Sequence, residues 1–170
     1  NEAGDLLGSE ASLALTPTSV TPGETLTCTA TATDSYGGSS TTTILIVIVN
    51  TNPDISSVST SPSEGVDTST TVVCAADAVD PDGAEVTLSY VWTNEAGDVL
   101  GVGNSLALSP SIVSPGDTLT CTATATDVHG GSSYRIITIL IINLQPEITE
   151  ISTSPAEEIT TSTTVVCGAE

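Results

Sequence analysis

The 170-residue chain has no lysine, phenylalanine or methionine, and only one arginine, one histidine and one tryptophan. Against that single basic residue, Arg135, stand 21 acidic residues, for a formal charge of −20. Such a surface repels phosphate, so nucleic acid and anionic membranes are poor partners, whereas cations and saline surroundings suit it. Long apolar runs are missing as well. The longest, residues 44–49, is strand-sized and far short of the roughly 18 residues a membrane helix needs, so no membrane insertion is expected. No two cysteines form a C-x-x-C pair, which removes the usual zinc and thiol-redox spacings. Catalysis has little to stand on. His129 sits beside Gly130-Gly131, where a nucleophilic triad has no partners, and no Gly-rich phosphate loop leads into a helix. Carboxylate pairs lie on turns with no apolar pocket to split their pKa values. The chain is read as a non-enzyme.

What is present is repetition. Residues 1–77 align without a gap to residues 94–170 at an offset of 93, with 48 of 77 positions identical. The ten residues 25–34 return unchanged as 118–127, and 68–74 return as 161–167. A period of 93 is too long for solenoid units, which cannot bury a core alone, and suits a small sandwich domain that can. Dense Val, Ile and Thr with 38% hydrophobic residues argue for strands over disorder, so the fold is expected to be all-β. The sequence has no initiator Met and begins and ends inside a repeat, and is read as a window on a longer exported protein.

Cys28, Cys74, Cys121 and Cys167 lie 46, 47 and 46 residues apart. A structural disulfide in an oxidising compartment is the expected use, but the spacing alone leaves Cys74 free to join Cys28 or Cys121. Between Cys28 and Cys74 lies the polar segment Asn50-Thr51-Asn52-Pro53-Asp54, whose proline cannot donate to a central ladder and so marks a boundary. Strands are expected near 55–61, 69–79, 85–93, 98–101, 105–109, 117–127 and 134–143. Turn chemistry divides them at Asp80-Pro81-Asp82-Gly83, Asn94-Glu95-Ala96-Gly97 and Ser114-Pro115-Gly116-Asp117. Alternation is cleanest around the third cysteine. Leu119, Cys121, Ala123 and Ala125 point one way, to the core, and Thr118, Thr120, Thr122, Thr124 and Thr126 the other.

Cys74, Trp92 on the alternating segment 86–92, residues 117–121 and the Asp80-to-Gly83 loop together resemble the tandem immunoglobulin-like and PKD-like modules of large bacterial surface proteins. The likeness spans the whole chain, although Leu119 and Leu26 stand where immunoglobulin domains carry a corner tyrosine. It implies Greek-key β-sandwiches of about seven strands per 93-residue repeat, with a strand C tryptophan packed on a disulfide between Cys74 and Cys121. It further implies one complete unit at 53–145, the later strands of a preceding unit at 1–50 and the first two strands of a following unit at 146–170. Cys28 and Cys167 then bond to partners outside this window, in neighbouring sequence or another copy.

Two candidate sites follow. Asp80 and Asp82 on one loop and Asp127 on another can supply oxygen ligands to calcium, with Asp34 the counterpart in the preceding unit; otherwise they are ordinary turn residues. The strand 44–49 and its repeat 136–142 are apolar on both faces, so Leu45, Val47, Val49, Leu140 and Ile142 need cover, from a neighbouring part of the chain or from another copy. The threonine ladders suit an exposed strand face, and could also carry O-linked sugars or meet an extended ligand; no Asn-x-Ser/Thr acceptor occurs. The expected function is structural: an extracellular or cell-surface filament, sheath or adhesin stalk that self-associates. Its units would be roughly 35–40 Å long, from strands of about ten residues at about 3.3 Å each. The alternative is a calcium-dependent module binding carbohydrate or another cell, of unspecified receptor or glycan.

Overall fold

The computed structural model describes residues 1–169, and among them forms eleven strands and no helix. They are β1 (Thr25–Thr33), β2 (Ser39–Val47), β3 (Asp54–Ser61), β4 (Thr71–Val79), β5 (Val86–Thr93), β6 (Val99–Val102), β7 (Ser105–Ala107), β8 (Thr118–Asp127), β9 (Ser132–Leu140), β10 (Ile151–Ser154) and β11 (Val166–Ala169). All pairings are antiparallel. The seven strands from β3 to β9 make two sheets, ordered β3-β4-β7 and β6-β5-β8-β9, whereas β1-β2 and β10-β11 are two-stranded hairpins. β1 and β2 start at the positions that correspond, at the offset of 93, to the starts of β8 and β9.

Turns set the registers. Gly83 N–H donates to Asp80 O at 3.0 Å with Gly83 at φ 76°, and Gly97 N–H donates to Asn94 O at 3.0 Å with Gly97 at φ 86°. Both glycines hold a left-handed backbone that an L side chain resists. The β5–β6 pair carries a register shift: Trp92 faces Gly101 but Thr93 faces Val99, leaving Leu100 over. That extra residue lets Leu100 pack inward against the core while Val99 and Val102 stay exposed.

The core lies between the two large sheets. β8 alternates without a break, with Leu119, Cys121, Ala123 and Ala125 wholly or almost wholly buried and the intervening threonines half-buried on the outer face. Cys74 of β4 is bonded to Cys121 of β8, so the disulfide joins the sheets. Trp92, the register partner of Cys121, is fully buried beside it, and its indole N–H donates to Gly103 O at 3.1 Å. One step along the sandwich, Tyr90, paired with Ala123, reaches across to β4, its hydroxyl accepting from Ala76 N–H at 3.2 Å. By contrast β1-β2 has only Leu26 buried, and every residue of β10 and of β11 is exposed.

Candidate functional site at the segment joining β2 to β3

Residues 48–53 leave β2 and run past one end of the β3–β9 sandwich. Two loops meet them there: the β4–β5 turn with Asp80 and Asp82, and the β8–β9 turn that starts at Asp127. Asn50 Nδ2 donates to Asp127 Oδ2 at 2.9 Å, and Thr51 N–H donates to Asp82 Oδ2 at 2.6 Å. Asp127 Oδ1 also accepts from His129 N–H at 2.8 Å and Gly131 N–H at 2.9 Å. One buried carboxylate therefore closes its own turn and holds the passing chain. Its pKa is lowered, first by the Asn50 amide and then, against an opposing effect of burial, by the Gly131 and His129 backbone N–H donors and the nearby His129 charge.

Gly131 explains how the segment comes so close. A Cβ there would strike the Asp127 carboxylate and lie 2.5 Å from Asn50 Nδ2 and 2.8 Å from Asn52 Oδ1. Beside the polar clasp, Leu15, Pro17, Val20 and Ile48 on one side and Pro81 and Asp82 on the other line an open depression of about 300 Å³. Two oxygens at this end, Asn50 Oδ1 and Asp80 Oδ2, are buried without a hydrogen-bond partner.

The carboxylates expected to hold calcium are thus engaged by backbone and linker. Asp80 Oδ1 accepts from Asp82 N–H at 2.9 Å and Ala84 N–H at 3.2 Å, and among the described residues no group of three or more His, Cys, Asp or Glu side chains is placed to hold a metal. In β2, Leu45 and Val47 are exposed, and so are the following Val49 and, in β9, Leu140. Ile142 departs from that stripe. It lies beyond β9, its N–H donates to Val66 O at 2.8 Å, and the residue is half-buried. Cys28 and Cys167 are free and exposed. Trp92 lies within the core, and Tyr90 is partly buried against it.

Comparison with protein-family models, curated proteins and solved structures gives no match to this chain. No helix among the described residues is long and apolar enough to cross a membrane. Asn50, Thr51 and Gly131 were not legible as site residues. The one available signal was internal: Asn50 returns as Asn143 and Gly131 matches Gly38 at the same offset.

Proposed function

We propose that the chain is part of a tandem array of immunoglobulin-like β-sandwiches, repeating every 93 residues, that serves as the shaft of an extracellular filament, sheath or adhesin stalk. In this reading residues 53–145 are one complete unit, β1-β2 closes the unit before it and β10-β11 opens the unit after it. The clasp at Asn50 and Thr51 is the observation that carries it. A connection of a few residues whose donors are held by Asp82 and Asp127 resists bending, and stiffness is what a spacer needs.

Backbone nuclear relaxation tests this directly. The β1-β2 hairpin is expected to tumble with β3–β9 in the native chain, and Asn50→Ala combined with Gly131→Ala to release it. Independent tumbling in the native chain would remove the rod reading. Acid should act in the same direction. Because the folded pKa of Asp127 is depressed, its contribution is fully present above the ordinary value of about 3.9 and disappears as pH falls through the lower folded value. The hairpin should therefore decouple only below about pH 4.

The two orphaned oxygens favour a second element, a calcium ion at the clasp. Asn50 Oδ1 and Asp80 Oδ2 are the hard, unfilled donors calcium prefers, beside carboxylates in a chain that lacks lysine. Calcium at about 10 mM, some 10 to 100 times the dissociation constant usual for extracellular modules, would stabilise the folded chain by about 1.4–2.7 kcal/mol. Identical melting curves in calcium and in chelator would remove the ion from the account.

A further inference from the structure

The outer face of the β6-β5-β8-β9 sheet carries no charged side chain. Registers place Thr87, Ser89, Val91 and Thr93 of β5 beside the β8 threonines 118, 120, 122, 124 and 126, and these beside Ser132, Tyr134, Ile136, Thr138 and Leu140 of β9. Val99 and Val102 of β6 extend the same face next to Thr93 and Val91. Five large apolar residues stand exposed there: Val99 at 62%, Val102 at 77%, Tyr134 at 71%, Ile136 at 57% and Leu140 at 59%. The acidic residues of residues 53–145 lie on turns, at strand ends or on the other sheet, where Asp77 accepts from Ser57 Oγ at 2.7 Å. The β1-β2 hairpin shows the same composition independently, with Leu45 and Val47 facing Thr27 and Thr25.

We propose that this neutral face packs against the same face of a second copy, sheet on sheet, as a two-fold lateral contact between chains. The proposal rests on the array reading and supplies its partner. Electrostatics selects the occupant. With a formal charge of −20, the acidic turns or the Asp77-bearing sheet of a second copy would bring carboxylates against Ile136 and Leu140, where desolvating an unpaired charge is prohibitive. A self-complementary patch also satisfies two-fold symmetry, since each copy offers what it receives. The area is adequate. The 31 residues of β5, β6, β8 and β9, at a rise of about 3.4 Å and a strand spacing of about 4.8 Å, give roughly 500 Å² per copy, or about 1,000 Å² in all, the lower bound expected of a specific contact.

Because the contact is apolar and the surroundings repel, association should strengthen with salt, opposite to a charge-driven complex. Sedimentation equilibrium of the full chain, with Cys28→Ser and Cys167→Ser to prevent adventitious disulfides, reads this. Raising salt from about 0.1 M to about 1 M shortens the screening length from about 10 Å to about 3 Å and is expected to tighten the dimer about 10-fold. Ile136→Asp, and separately Leu140→Asp, should weaken it at least about 100-fold by burying an unpaired carboxylate in each copy. Ser59→Asp, on the exposed face of the other sheet, should leave it unchanged. Retained Trp92 emission and an intact Cys74–Cys121 bond check that each variant is folded. A chain that stays monomeric in high salt, or dimers indifferent to both aspartates, would overturn the proposal. The array reading fails separately, on the tumbling of β1-β2, so a rigid clasp in a monomeric chain would leave the rod and remove only this face.

Discussion

Replacing Cys74 and Cys121 together by alanine is expected to lower the unfolding free energy by about 4 kcal/mol, the chain-entropy value for a closed loop of about 48 residues. For a unit of this size that is a fall in melting temperature of roughly 15 to 30 °C. The effect is large because the core has few other resources. It contains no phenylalanine or methionine, and β8 fills its inward positions with Leu119, Cys121 and two alanines. Small side chains bury little area each, and total stability is only about 5–15 kcal/mol for a typical domain. Calorimetry of the double variant against the parent gives the number. A loss below about 1 kcal/mol would mean that packing alone holds β4 to β8 and that the bridge constrains little.

The second large effect is expected at Trp92. Truncation to alanine should cost about 3–5 kcal/mol, since this is the largest fully buried side chain and it lies beside the disulfide. Trp92→Phe separates volume from polarity. It fills most of the space but leaves Gly103 O without the indole N–H, so a smaller loss of about 1–3 kcal/mol is expected. Denaturant titration followed by far-ultraviolet dichroism measures both variants without relying on the removed chromophore. Equal losses for the alanine and phenylalanine variants would show that the indole hydrogen bond, and not the packed volume, carries the contribution.

Much of the β3–β9 region was legible because period-two alternation and turn chemistry are local. The expected strands 85–93 and 117–127 lie within a residue of β5 and β8, and the Asp80 and Asn94 segments form turns, as expected, each closing on a left-handed glycine. Strand 134–143 is the instructive miss. β9 begins two residues earlier and ends at Leu140, because beyond it Ile141 N–H turns to Asp117 O and Ile142 N–H to Val66 O, both outside the β8 ladder. The clasp was not legible for a different reason. Asn50 and Asp127 are 77 residues apart, and nothing in either segment states that they meet. Asp80, Asp82 and Asp127 carried a charge signal that fits both turn closure and metal binding, and only the positions of the Ala84, Thr51 and Gly131 amides, respectively, show which of their oxygens are engaged. The neutral face was legible in part, as Leu140, whereas Val99 and Val102 depend on a bulge that alternation does not announce.

The chain carries its own control for the central claim, that a complete unit is stabilised by its second sheet, bridge and indole and not by the strand sequence itself. Residues 25–34 and 118–127 are identical, yet β8 is covered on its inner face and β1 is not. Residue-resolved amide hydrogen exchange compares them within one molecule. The account predicts that amides of β8 exchange at least about 1,000-fold more slowly than their twins in β1, as core and locally opening elements do. Equal protection of the two strands would contradict it.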